Sequence, residues 1–416
     1  MKHLLAILAA VAFMAQLSCQ QTNTPPKENR NIILDEKSAQ LIESDNAFGL
    51  DIFKKIRTAS DKENIMISPL SISVALAMTY NGANGDTKTE MENALRLNGL
   101  TPEQINASYK MLINELQLVD KDVVFELANA IYYETGFNIK QTFLDINKNY
   151  YDAEVNALNF ALPSALEEIN GWVNEKTHTK ISRILENLSP NTRMVLLNAI
   201  YFNGIWSNKF DEDGTKMFPF TKSNEKSKDV ATMHMEKTLE YTSNALFDAV
   251  KLPYGNGQYN MVVMRPAAGK KSDNVIDKLS AENWGTWMKS FKKEEHVVVS
   301  MPRFKFAFNM GLKEVLKKMG MVKAFDPNKS NFSKITNDEA LFISKVIHKS
   351  FIDVNETGTE AAAVTAVVME TTSAGSGSGV TKIYFTVNKP FVFAITEKDT
   401  GAILFIGEVN NPEYED

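Results

Sequence analysis

Few residues in this chain could do chemistry of their own. The five histidines are His3, His178, His234, His296 and His348, and no two stand at the helical spacing of a metal-ligand pair. The one cysteine, Cys19, lies in an apolar leader outside the fold, and it leaves no intramolecular disulfide to form. No serine sits in a nucleophile-elbow context. Gly375, Gly377 and Gly379 miss the dinucleotide-binding spacing, and no glycine-rich turn joins a strand to a helix. Carboxylates are abundant but scattered. The sequence argues against an enzyme and calls for no cofactor and no metal.

Chemistry done to the chain is another matter. Residues 357–380 contain no aromatic residue, no lysine and no arginine. A loop this long inside a compact domain is usually functional or disordered. Residues 373–379 are serine, alanine and glycine, like a flexible linker. The preceding part is different. Thr359, Ala361, Ala363, Thr365, Val367 and Met369 form one uncharged face, while Glu360, Ala362, Val364, Ala366, Val368 and Glu370 form the other. That alternation suits a half-buried strand. Helix is the rival reading, since alanine favours it, but Val364, Thr365, Val367 and Val368 weigh against helix. The segment is a loop that could also become a strand.

The remaining chain must supply a frame for that loop. Its 416 residues are 44% hydrophobic and 23% charged with a net charge of -6, which gives ample core and no nucleic-acid footprint. Lys313, Lys317 and Lys318 fit the wet face of a helix. Length alone suggests two or three domains. Lys2 and His3 precede an apolar run over residues 4–17, too short for a folded membrane anchor, so residues 1–19 read as a signal peptide. A sole cysteine after an export signal resembles a bacterial lipoprotein box, although Gln16 stands where the box prefers an apolar residue. A plain secretory signal is the alternative. The expected location is beyond the inner membrane: lipid-anchored through Cys19 to the membrane or cell surface, or else periplasmic or extracellular. Residues 20–32 read as a polar tether, and the fold is expected over 33–416.

Helical periodicity marks residues 47–58. Ser68 and Pro69 look like a cap and first helical residue for 70–81. Asp86 is expected to cap a helix to 97, and Pro102 to open one to 118. Strand-like alternation marks 123–132, 194–202, 259–264, 296–308, 344–355, 383–395 and 402–408. The mixture reads as α+β.

Several blocks resemble the serpin family in its own order. Residues 64–71 (NIMISPLS) resemble the segment opening its second helix, and 196–206 (LLNAIYFNGIW) the next family block. Residues 344–349 (SKVIHK) are similar to the strand before its bait loop, and 356–363 (ETGTEAAA) to its hinge. KPFVF at 389–393 and GEVNNP at 407–412 are similar to its C-terminal strands. Each block alone is weak; in order they are specific. The resemblance implies one domain, with three β-sheets, eight or nine helices and an exposed reactive-centre loop over about 356–382. It implies a monomeric, suicide-substrate inhibitor of serine proteases. A protease cleaves the loop, an acyl-enzyme forms, and the freed hinge enters the main sheet, an established instance of strand addition and strain release.

By the same resemblance, the hinge comprises Glu356, Gly358, Thr359, Glu360, Ala361, Ala362 and Ala363. Ser68, Ser71, Asn198 and His348 form a polar cluster under the opening sheet. Trp206 lies near the point of first insertion, and Arg303 pairs with Glu356. Family spacing from Glu356 gives Thr372–Ser373 as the cleaved bond. Residues 373–389 are longer than usual, so Val367, Val368, Met369 and Thr371 remain alternatives. A trypsin-like pocket needs Lys or Arg and a chymotrypsin-like one a large aromatic, neither of which the loop offers. The expected targets are elastase-like or subtilisin-like, with papain-like cysteine proteases second. The alternative from another class is a non-inhibitory serpin acting as a carrier, whose hinge would tend to carry bulky, charged or proline residues.

Overall fold

The computed structural model describes residues 30–189, 191–338, 340–359 and 381–414. The signal segment, Cys19, most of the tether, hinge residues Glu360, Ala361, Ala362 and Ala363, and every candidate for the cleaved bond lie outside the described residues.

In chain order the elements are α1 (Glu36–Ala59), β1 (Ile65–Ile67), α2 (Pro69–Tyr80), α3 (Gly85–Ala94), α4 (Pro102–Leu118), β2 (Val123–Glu134), α5 (Gln141–Tyr151), β3 (Glu154–Leu158), α6 (Pro163–Lys176) and β4 (Met194–Ile205). There follow β5 (Lys216–Thr221), β6 (Ser227–Ser243), β7 (Phe247–Tyr254), β8 (Tyr259–Pro266), α7 (Ser272–Ile276), α8 (Ala281–Lys289), β9 (Lys292–Pro302), β10 (Phe304–Gly311) and α9 (Lys313–Lys318). The last are β11 (Ile347–Val354), β12 (Gly358–Thr359), β13 (Ile383–Thr386), β14 (Phe391–Glu397) and β15 (Ile403–Val409). The α+β fold is thus built from nine helices and mixed sheets among the described residues.

Local chemistry sets several boundaries. Thr101 and Gln104 exchange side-chain and backbone bonds as a capping box, with Pro102 in the first turn of α4. The Ser68 hydroxyl accepts from Ser71 N at 3.2 Å and starts α2. Asp86 does not cap α3: Gly85, at φ 52°, turns the chain into the helix one residue earlier, Asn84 takes the cap position, and Asp86 sits in the first turn, where a carboxylate also suits the helix dipole. That helix stops at Ala94, short of residue 97. Asp35 caps α1, which begins well before residue 47.

Among the described residues, hydrogen bonding joins the three expected sheets into two. One has six strands in the order β10-β11-β12-β4-β2-β3. The other has nine, in the order β1-β15-β14-β8-β7-β6-β9-β13, with β5 also on β6. The cause is β6, whose 17 residues pair β5 and β9 along most of its length and β7 at its end, so that two expected sheets are joined. The alternation over 296–308 is also two strands. Pro302 has no N–H to donate, and Arg303 N bonds Ala231 O at 2.9 Å as the chain leaves the larger sheet for the smaller.

The six-stranded sheet is covered on both faces. Ile200 and Phe202 of β4 join the main core, whereas Leu197 and Ala199 pack with Ile169, Trp172 and Val173 of α6 in a smaller one. Elsewhere β1 and β15 pair antiparallel, so Met66 lies opposite Gly407. A Cβ on Gly407 would stand 2.6 Å from Ile65 O and from the Phe393 ring. Gly407→Val should therefore destabilise the protein by about 1–3 kcal/mol through overpacking. Thermal unfolding checks this; an unchanged midpoint would show that the close approach is not required.

Candidate functional site

The ladder of the six-stranded sheet is interrupted at its centre. On one edge β4 pairs β2 from Met194 to Gly204. On its other edge it pairs only at Gly204 and Ile205, with Thr359 and Gly358 of β12. Likewise β11 pairs β10 throughout and meets β12 only through Val354 and Thr359. Among the described residues no strand lies between β4 and β11 below Thr359. Where β12 sits between them, β4 and β11 are two places apart, about 9.6 Å. It holds a cavity of about 20 Å³ beside Thr359, lined by Ile200, Phe202 and Ile352. A larger one of about 640 Å³ lies along Leu196, Asn198, Ile347 and His348.

The mouth of this slot is built by a tight turn. Asn355 N donates to Gly358 O at 3.0 Å, and Asn355 Oδ1 accepts from Thr357 N at 3.0 Å and Gly358 N at 3.3 Å. Only glycine fits at 358, because a Cβ there would stand 2.1 Å from Gly204 O. The buried Thr359 hydroxyl bonds the Tyr254 hydroxyl. Trp206 N donates to Thr357 O at 2.9 Å and its indole to Asn355 O at 2.8 Å, while its ring stacks on Tyr254 at 4.3 Å. The Glu356 carboxylate is only 3% exposed, so it needs partners. It accepts from Arg303 Nε at 2.7 Å and from the Thr215 hydroxyl. Trp206, Arg303 and Glu356 thus meet around one turn, together with Thr215 and Asn355, which carry no signal in the sequence.

Deeper in the slot lies a buried polar cluster. Ser68 N donates to His348 Nε2 at 3.1 Å. Ser71 Oγ donates to Asn198 Oδ1, and Asn198 Nδ2 to Asn129 Oδ1 at 2.8 Å. Asn129 Nδ2 ends the chain on Tyr151 O at 2.7 Å. The structure therefore brings Ser68, Ser71, Asn198 and His348 together and adds Asn129. That residue was findable as the lone polar side chain in the stripe Val123, Phe125, Leu127, Ile131. His348 accepts a bond and is neutral, and burial pulls its pKa down to about 4.

Residues after α6 cross the slot. His178 lies 4.2 Å from the Tyr201 ring of β4, and Lys180 lies 5.3 Å from the Phe351 ring of β11. Among the described residues no cluster could hold a metal ion, and no helix is long and apolar enough to cross a membrane. The arrangement is suited to receiving an extended strand.

A family model described as Serpin (serine protease inhibitor) matches residues 43–412. An uncharacterized serpin-like protein of Methanosarcina acetivorans is 35% identical, covering 89% of this chain and 86% of the relative. The native-state crystal structure of tengpin, a thermophilic serpin, is 32% identical with a TM-score of 0.80, over 93% of this chain and 97% of that one. Human thyroxine-binding globulin is 28% identical with a TM-score of 0.80, over 91% and 100%.

His348 sets a pH dependence. Its folded pKa lies below the ordinary value of 6.5, so the unfolded chain takes up the proton first. Its contribution to stability is full above pH 6.5 and is lost as pH falls towards 4, by up to about 3 kcal/mol. The stability difference between the protein and His348→Gln should shrink over that window in denaturant titrations. A difference independent of pH would refute the assignment.

Proposed function

Because the chain belongs to the serpin family, whose members are mostly protease inhibitors and not catalytic enzymes, we propose that it inhibits serine proteases as a suicide substrate. The carrying observation is the slot itself, with Gly358 and Thr359 seated at its mouth between β4 and β11. On this reading a protease cleaves the loop and forms an acyl-enzyme, and the freed hinge continues down the slot before water can release the product.

The registers of β12 make the reading specific. If the inserted loop keeps them, Ala361 falls between Phe202 and Ile352, and Thr365 between Asn198 and His348. Met369 reaches Met194, the first residue of β4. The uncharged face, from Thr359 to Met369, then points to the main core as Phe202 and Ile352 do. Glu360 and Glu370 fall on the opposite face at the two ends of the run. A charge on the core face would cost several kcal/mol. About a dozen new backbone bonds, at about 1 kcal/mol each, would release on the order of 10 kcal/mol.

The cleaved bond follows from family spacing as Thr372–Ser373, with elastase-like or subtilisin-like proteases as targets. Likeness to thyroxine-binding globulin raises a carrier role. The proline-free run after Gly358, with one face free of charge, weighs against it. Export and lipid attachment at Cys19 complete the proposal; mass spectrometry of the membrane fraction, with Cys19→Ser as control, checks them.

Incubation with elastase should give a complex that survives denaturing electrophoresis, and trypsin should give none. A trypsin complex without an elastase complex overturns the specificity. Thr359→Arg, which brings a charge against buried Tyr254, should turn inhibitor into cleaved substrate. Undiminished inhibition by that variant would refute insertion.

A further inference from the structure

The strand that follows Arg303, β10, is the outer strand of the six-stranded sheet, and its free edge is met by residues near the end of the chain. Lys305 N donates to Glu413 O at 2.8 Å. Asn411 Nδ2 holds Glu413 Oε1 at 2.7 Å, with Lys228 Nζ 3.8 Å from the same oxygen. This fixes the path of the next residue, Tyr414, which lies outside the stretch matched by the family.

Tyr414 reaches the turn at the mouth of the slot. Its hydroxyl accepts from Asn355 Nδ2 at 3.3 Å. Its ring lies 5.4 Å from the Arg303 guanidinium and 5.7 Å from Lys305 Nζ. Asn355 and Arg303 are two of the side chains that hold the turn. The first caps Thr357 and Gly358 through its Oδ1, and the second pairs with Glu356. One aromatic residue therefore fixes both: it orients the Asn355 amide so that Oδ1 faces the turn, and it covers the guanidinium with a ring face, a favourable cation–π arrangement.

We propose that Tyr414 is a latch that keeps the turn at 355–358 closed and Gly358–Thr359 seated in the slot. The part it plays in inhibition rests on the suicide-substrate reading: a seated hinge needs no search for the slot after cleavage, so insertion outpaces deacylation more often. Without the latch the hinge samples unseated positions, and more of the inhibitor is turned over as plain substrate.

Amide hydrogen exchange on the uncleaved full chain tests the latch apart from inhibition. Trp206 N and Phe210 N bond carbonyls of the turn, so they report seating. In Tyr414→Ala their exchange should accelerate about tenfold, the size expected for one lost hydrogen bond and two lost ring–cation contacts. The β14–β15 ladder should keep its protection. Tyr414→Phe, which keeps the ring, should give a smaller acceleration. Unchanged exchange at Trp206 and Phe210, or equal acceleration throughout the protein, overturns the latch. In parallel, the molar ratio of protein needed to silence elastase should rise in Tyr414→Ala. Altered exchange in a protein that silences no protease at all would keep the latch and refute the inhibitory reading.

Discussion

Everything in the six-stranded sheet turns on backbone groups that face across a gap. Strand edges seek partners, and a sheet interior is the last place where exposed edges are normally left. Here β4 and β11 each have one satisfied edge and one that meets β12 only briefly, at Gly358 and Thr359 for β4 and at Thr359 alone for β11. The outer strands β10, β2 and β3 pair the far edges of the two walls, and α2 and α6 cover the faces of the sheet. On the suicide-substrate reading, a strand from the same chain would recover the missing ladder in that position.

The polar cluster explains how such a gap coexists with a specific fold. An apolar slot wall could collapse in many ways. His348, Ser68, Ser71, Asn198 and Asn129 form a bonded chain from β11 through α2 to β4 and β2, and each bond has a required direction. Directional bonds in a buried setting fix the spacing of the elements they join. At the mouth, Glu356 has the same effect: a buried carboxylate with two partners tolerates few positions of the turn that carries it.

How much of this is legible in the sequence depends on how local the cause is. The start of α4 is legible because Thr101, Pro102 and Gln104 decide it among themselves. The uncharged face of the loop is legible because alternation is a property of consecutive residues. The break between β9 and β10 is not, since the alternation runs on through Arg303 and only the change of sheet divides it. Strands β6 and β7 escape because charges interrupt their pattern, and β5 because its apolar Met217 and Phe218 are exposed, so no alternation marks a buried face. Arg303 and Glu356 were paired by family resemblance alone. Thr215 and Tyr414 reach the same turn from distant parts of the chain, with no local mark. Asn129 did carry one, a single amide in an apolar stripe.

The order in which the chain is made bears on the gap. Strands β14 and β15 lie within the nine-stranded sheet, between β8 and β1, yet they are the last strands to be synthesised. The loop and both walls of the slot leave the ribosome before them. Until β14 and β15 arrive, β1 has no partner, and β1 is the strand that delivers Ser68 and α2 to the slot. Contacts of such long sequence separation form slowly. Completion of the larger sheet therefore anchors the far end of the loop at β13 and the wall of the slot at about the same time. On the suicide-substrate reading, that order would complete the slot with its loop already held at both ends, by β12 and by β13.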